Sequence, residues 1–316
     1  MSSSSGGGAL KYVTLGASGI EVPELGVGVW QWGDATFWGY GKEYGAADIR
    51  AAFEVCNSRG LNFFDTAEIY GSGASERNLG TFVRESGRPA IVASKFFPYP
   101  WRLRGRSVPA AARASLQRLG LERIDLYQIH WPYPPMSIET WMGGLADAVD
   151  QGLIRAAGVS NYNVPQTRRA QAALARRNVP LASNQVRFSL LDRRPERSGL
   201  LETCRQLNVT LIAYSPLAQG LLTGKYTRHH PMRGLRSSRL AAPSYDRLGR
   251  LVGLLREIGA GHGGKTPAQV ALNWVICKGA LPIPGAKTAQ QAEENAGAIG
   301  WRLTPNEVSA MDAATT

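Results

Sequence analysis

Apolar residues recur along the chain in two alternating rhythms. Short apolar runs that read as buried strands occupy residues 25–30, 62–66, 90–95, 125–130, 154–160, 181–186, 210–215 and 281–284. Between them, apolar positions return every three to four residues, the period of a helix with one buried face. These helical stretches cover 47–59, 75–85, 108–119, 138–151, 164–177, 199–207 and 266–277, and 289–298 and 305–313 follow the last strand. Before the first strand, 11–15 and 20–25 flank Gly16-Ala17-Ser18-Gly19, the pattern of a short hairpin. Gly120 and Gly279 each follow a periodic stretch, as the left-handed residue that ends a helix requires. Thr266-Pro267 and Thr304-Pro305 place a capping side chain before a first-turn proline.

Strands alternating with helices imply parallel pairing through right-handed crossovers. Eight such units at this length close most economically into an α/β fold of the (β/α)8 barrel type, with an N-terminal hairpin and extra C-terminal helices. An open doubly wound sheet is the alternative, weakened because no GxGxxG follows the first strand. No linker divides the periodic region. A Ser/Gly-rich leader, 1–9, therefore precedes one barrel domain, 10–316.

Composition narrows the class. At 44% hydrophobic and 19% charged, the 316 residues can bury a large core, which excludes a disordered chain. No apolar run approaches the roughly 18 residues of a membrane span, and the leader lacks the charged and apolar regions of a signal peptide. Cys56, Cys204 and Cys277 are odd in number and widely spaced, as expected of a reduced, cytoplasmic protein. The net charge of +12 raises the question of nucleic acid. Its source is dispersed arginine, without a basic block or nucleic-acid motif, so a solvated basic surface is expected and no nucleic-acid partner.

In a barrel of this type, chemistry sits at the C-terminal ends of the strands. The second strand runs into Asp65-Thr66-Ala67-Glu68-Ile69-Tyr70-Gly71, the third ends in Ser94-Lys95 and the fourth in Gln128-Ile129-His130-Trp131. Singly, each residue reads as structural: a buried ion pair, loop packing, a core histidine. Together they bring an acid, a tyrosine, a lysine and a histidine to one rim. A phenol near pKa ~10 is a poor acid at neutral pH unless a cation favours its phenolate. Lys95 can supply that cation, Asp65 can orient it, and His130 can hydrogen-bond a carbonyl oxygen. The set suits protonation of an oxygen while a hydride, which only a cofactor brings, attacks carbon. Neither a metal-ligand spacing nor a Ser or Cys nucleophile with an evident base competes.

Later strand ends suit such a cofactor. Ser160, Asn161 and Gln185 offer hydroxyl and amide groups for a carboxamide, and Tyr214 an aromatic face. As structural readings, Ser160 and Asn161 are helix caps and Gln185 fixes a loop. After the eighth strand, Gly285, Ala286 and Lys287 lead into a helix, which together make an anion site.

With Gly158-Val159-Ser160-Asn161, Tyr214-Ser215-Pro216-Leu217 and Ile283-Pro284-Gly285-Ala286-Lys287 through Glu294-Asn295 added to the three earlier motifs, the sequence resembles the aldo-keto reductase superfamily. The likeness extends over nearly the whole chain after the leader. The resemblance implies NADPH (NADP+ in its oxidised form) lying across the rim of a barrel. It makes Tyr70 the acid, assisted by Lys95 and Asp65, with His130 orienting the carbonyl. It also implies that Ser160, Asn161 and Gln185 hold the nicotinamide amide and that Tyr214 stacks on its ring. Ser215, Leu217 and Lys225 would line the pyrophosphate path, with Gly285 in the anion turn. Lys287 and Gln291 would meet the 2′-phosphate, with Glu294 and Asn295 near adenine. Val29 stands where many members carry threonine. Stretches such as Pro100-Trp101-Arg102-Leu103 look like the branch of plant and bacterial pyridoxal reductases, which makes pyridoxal a candidate substrate.

Three further expectations follow. The Gly259–Thr266 stretch fits the phosphate-loop pattern GxxxxGK[ST] letter for letter, but the preceding residues 248–258 have a helical period. A phosphate loop needs a strand there, so a helix–loop–helix joint is expected. Residues 217–244 are long for a loop and are expected to cover the pyrophosphate, with Lys225 and some of Arg233, Arg236 and Arg239 taking part. Trp30, Trp32, Trp38, Trp131 and Trp101 are expected to line an apolar substrate pocket. The function expected is reduction of a small-molecule carbonyl. The competing reading is a non-catalytic NADPH-sensing subunit like the β subunits of potassium channels.

Overall fold

A computed structural model describes residues 10–232 and 244–315. Strands β1 (Tyr12–Thr14) and β2 (Glu21–Pro23) pair antiparallel as a hairpin. Eight parallel strands follow: β3 (Val27–Gly28), β4 (Phe63–Asp65), β5 (Ile91–Phe96), β6 (Ile124–Ile129), β7 (Ile154–Ser160), β8 (Leu181–Arg187), β9 (Thr210–Tyr214) and β10 (Leu281–Ile283). Each pairs with its neighbours in chain order. The ring closes where Gly26 N donates to Pro282 O and Gly28 N to Pro284 O, with Gly28 bridging to Gly285.

The connecting helices are α1 (Ala35–Trp38), α2 (Ala46–Ser58), α3 (Ala74–Ser86), α4 (Ser107–Leu119), α5 (Ile138–Asp150), α6 (Val164–Ala175), α7 (Arg194–Arg197), α8 (Leu200–Gln206), α9 (Tyr245–Gly261) and α10 (Pro267–Cys277). After β10 come α11 (Ala289–Ala296) and α12 (Pro305–Ala314). Helix α4 stops where Gly120 turns left-handed at φ 64° and returns its N–H to Leu116 O. Helix α10 begins with Thr266 accepting from Gln269 N while the Gln269 side chain caps Thr266 N. Gly259–Thr266 thus spans the joint between α9 and α10, as the helical period before it predicts.

The first barrel strand is shorter than its apolar run. Val29 N still donates to Asp65 O, but Trp32 N turns back to Val29 O, so pairing as a strand ends at Gly28. The short helices α1 and α7 carry too few residues to show a period and are not visible in the sequence pattern.

Side chains that point into a strand barrel recur every second residue. The lower interior is apolar: Phe63, Ala93, Leu126, Ala156, Ala182 and Ile212 pack together, and Leu15, Ile20 and Val22 of the hairpin region close that end. Two residues further along the same strands the interior turns polar, with Asp65, Lys95 and Gln128, all buried. A larger apolar cluster fills the space between the strands and the helices. The apolar floor excludes water beneath the polar layer, so charges there must be satisfied by one another.

Candidate active site

Asp65 ends β4 with its carboxylate fully engaged. Oδ2 accepts from Lys95 Nζ at 2.5 Å, and Oδ1 accepts from Gln185 Nε2 at 2.8 Å and Gln128 Nε2 at 3.3 Å. Lys95 Nζ also donates to Thr66 O at 2.8 Å and reaches Tyr70 Oη at 3.4 Å. Both ions of the pair are buried. Such a pair offers weak net stability, but its loss of one partner strands a charge. The arrangement therefore fixes an ammonium in one direction, toward the phenol.

Tyr70 opens a tight turn after β4 in which Gly71 and Ser72 adopt φ 54° and 52°. Its ring meets His130 edge-on, with centroids 5.7 Å apart, and stacks on Trp30 at 5.6 Å. Asn161 Nδ2 donates to His130 O at 3.0 Å, and Tyr214 Oη donates to Asn161 Oδ1 at 3.0 Å. Ser160 Oγ donates to Gln185 O at 2.8 Å. Asn161, Ser215, Ala218 and Gln219 hold positive φ (64°, 51°, 47° and 55°), as does Ser72. Strained residues of this kind persist where surrounding contacts over-determine them, and these follow the ends of β4, β7 and β9.

Electrostatics set the protonation states. Burial, then the charges of Asp65 and Tyr214, push the Tyr70 phenol well above its usual range. Lys95, 3.4 Å from Oη, does not offset that burial in the resting state. The lysine is 2.5 Å from a carboxylate but 3.4 Å from Oη, and burial of the phenol dominates. Tyr70 is thereby held in its protonated form. Burial lowers Lys95 from its usual value, and Asp65 opposes that shift. Burial and then Lys95 hold His130 well below the usual imidazole range, so the ring is neutral. Its Nδ1 is buried with no hydrogen-bond partner among the described residues.

A trench of about 540 Å³ runs along the rim beside this group. Asp65, Trp30, Tyr214, Ser215 and Leu217 line it near the polar layer, and Lys225, Gly285, Lys287, Gln291, Glu294 and Asn295 line its further part. Thr288 caps α11 there by accepting from Gln291 N. Gln291 Oε1 accepts from Lys287 N at 2.8 Å, and Asn295 Nδ2 donates to Gly285 O at 3.2 Å. Lys287 Nζ donates to Trp38 O at 3.1 Å, lies 3.5 Å from Glu43, and sits over the Tyr44 ring. Glu294 accepts from Thr266 Oγ1 at 3.0 Å. Among the described residues, Ser215, Leu217, Lys225, Gly285, Lys287 and Gln291 line this one trench. Ser160, Asn161 and Gln185 are not among the residues that line it, and the Gln185 amide nitrogen is committed to Asp65.

The tryptophans divide. Trp30 and Trp38 line the trench. Trp131 stacks on Tyr133 at 5.3 Å, and Trp101 is exposed. Trp32 belongs elsewhere: it is fully buried and donates to Ala286 O at 2.8 Å, packed between Phe53 and Phe82. Arg233, Arg236 and Arg239 lie outside the described residues. Gln128 is a site residue that sequence reasoning left without a role. Its signal is the period of two, which puts it on the inward face with His130.

The sequence profile of the aldo/keto reductase family matches residues 24–316. Pyridoxal reductase, chloroplastic, of Arabidopsis thaliana is 42% identical over 301 residues, covering 91% of this chain and 82% of the relative. An aldo-keto reductase from Klebsiella pneumoniae, solved in complex with NADPH, superposes with TM-score 0.75 at 27% identity over 96% of this chain and 95% of its own. The glycerol dehydrogenase of Gluconobacter oxydans gives TM-score 0.80 at 26% identity, over 93% and 92% of the two chains. With the barrel, the site and these likenesses together, the chain belongs to the aldo/keto reductase family.

Proposed function

We propose that this protein reduces an aldehyde or ketone to an alcohol with NADPH, using Tyr70 as the proton donor. The observation that carries this reading is the convergence of Lys95 and His130 on the buried phenol of Tyr70 beside an extended trench.

The trench fits a nicotinamide dinucleotide by its donor set. Its inner part offers the rings of Trp30 and Tyr214, and its outer part offers Lys225, Lys287 and the capped N-terminus of α11. Such cations and helix ends suit phosphates. Ser160, Asn161 and Gln185 would hold the carboxamide, Ser215 and Leu217 the pyrophosphate, Lys287 and Gln291 the 2′-phosphate, and Glu294 and Asn295 the adenine. When bound, the cofactor supplies a hydride to the carbonyl carbon.

The chain's own residues do the rest. His130, neutral because burial and Lys95 disfavour its cation, donates a hydrogen bond that positions the carbonyl oxygen. Tyr70 gives its proton to that oxygen as charge develops there. Lys95, held by Asp65, stabilises the phenolate left behind. Protonation and stabilisation are thus divided between two groups with opposite requirements. Trp30 and Trp131 would border the substrate. Pyridoxal, named for the plant relative, is a candidate substrate.

The test is NADPH absorbance followed against a panel of aldehydes and ketones, pyridoxal included. Oxidation that depends on a carbonyl compound is expected. Tight NADPH binding with no oxidation by any compound would instead assign a sensing role.

A further inference from the structure

The segment between β5 and α4 has no strand partner, and two charged side chains give it its shape. Glu68, two residues before Tyr70, accepts from Phe97 N at 2.6 Å. Arg102 grips both Glu68 oxygens, through Nη1 and, at 3.0 Å, Nη2, and its Nη1 also donates to Phe97 O at 2.7 Å. Both polar groups of the Phe97 backbone are therefore tied to one ion pair. The Arg102 guanidinium also lies over the rings of Phe96 and Tyr99, at 4.6 and 5.1 Å.

What this pair holds is an aromatic wall. The Phe97 ring meets His130 edge-on at 5.7 Å and Tyr99 at 4.8 Å. Tyr99 stacks on Trp101 at 4.6 Å with an interplanar angle of 10°. Trp101 is 73% exposed. Rings thus run without a break from solvent to His130, and Trp30 continues the series beyond Tyr70. A surface tryptophan stacked flat on a tyrosine that itself lies against the guanidinium of a largely buried ion pair is not core packing. It is a series of exposed and half-buried rings whose inner end, Phe97, touches His130.

Resting on the carbonyl-reductase reading above, we propose that Glu68 and Arg102 are positioning residues that set substrate preference. They hold the Phe97–Tyr99–Trp101 wall so that planar, π-bearing carbonyl compounds are bound in preference to small saturated ones. Stacked aromatic pairs contribute about 0.5–1.5 kcal/mol beyond area burial. Losing the wall's alignment should therefore weaken planar substrates about tenfold. Lysine does not reproduce the planar fork with which Arg102 meets two carboxylate oxygens and a carbonyl while lying flat on two rings.

The experiment compares kcat/KM for benzaldehyde and propanal in the wild type, Arg102→Met, Arg102→Lys and Glu68→Gln. Trp101→Ala, at an exposed position, serves as the variant least able to disturb folding. The benzaldehyde-to-propanal ratio should fall about tenfold in both Arg102 variants, mainly through KM. A fall of about threefold is expected for Trp101→Ala. Equal losses for the two aldehydes, or an unchanged ratio in Trp101→Ala and Arg102→Met alike, would overturn the proposal while leaving the reductase reading in place. Wild-type protein that oxidises NADPH with no compound of the carbonyl panel would remove the reading and this proposal with it.

Discussion

Lys95 Nζ lies 2.5 Å from Asp65 Oδ2 and 3.4 Å from Tyr70 Oη, and both members of the ion pair are buried. The carboxylate is closer, so it holds the lysine, and the lysine in turn faces the phenol. Gln185 and Gln128 fill the other carboxylate oxygen and prevent the acid from rotating away. Replacing Asp65 by Asn leaves the ammonium buried without its counter-charge. A loss of about 3–5 kcal/mol is expected, read as a lower denaturant midpoint, together with reduced kcat.

Gly158 sits between Gln128 and Ser183 on the neighbouring strands. A Cβ there would stand 2.5 Å from Ser183 Oγ and 2.8 Å from Gln128 Cγ. Gly158→Ala should displace Gln128 from Asp65 and cost about 1–3 kcal/mol, the usual range for overpacking. Thermal melts and kcat of the same variant measure the two effects.

His130 gives the protein a pH dependence of definite sign. Its folded pKa lies well below the ordinary imidazole value, because burial and Lys95 disfavour the cation. Below about pH 6.5 the unfolded chain binds a proton that the folded chain refuses. The stability this group contributes is present above that pH and is lost as pH falls through it. His130→Gln should flatten the stability profile between about pH 7 and 5 relative to the wild type. Denaturant titrations at several pH values would show it, and an unchanged slope would count against a neutral His130.

Lys287 combines a cation with the first turn of α11 in the trench. If it meets the 2′-phosphate, Lys287→Ala should weaken NADPH about tenfold or more, the scale of a charged hydrogen bond, and leave NADH nearly unaffected. Fluorescence titration with both dinucleotides measures the difference. Equal weakening would place the lysine elsewhere on the path.

Much of this architecture is legible in the chain because barrel geometry is repetitive. Each strand is a short apolar run, and each strand end is a fixed place for polar residues, so Asp65, Lys95 and His130 stand out by position. Tyr70 could be included because it follows Asp65 within one turn. The connections within the polar layer were not legible. Gln128, Gln185 and Asp65 meet across the barrel interior, and their hydrogen bonds depend on strand stagger rather than on local pattern. Glu68 and Arg102 are 34 residues apart and meet only because two loops fold over one strand pair. Trp32 differs from its expected place for a related reason: proximity to a strand end does not tell a ring that faces the trench from one turned under α2 and α3. The direction of the Tyr70 shift likewise depended on burial, which the sequence does not show.

The central claim is that Tyr70 donates the proton, and Tyr70→Phe tests it most directly. The substitution removes one oxygen and keeps the ring that stacks on Trp30 and meets His130. General acid catalysis typically contributes about 10²–10⁴-fold in rate. Single-turnover NADPH oxidation with a saturating aldehyde should therefore slow by at least about a hundredfold, with NADPH affinity close to that of the wild type. Turnover at the wild-type rate by that variant would contradict the account.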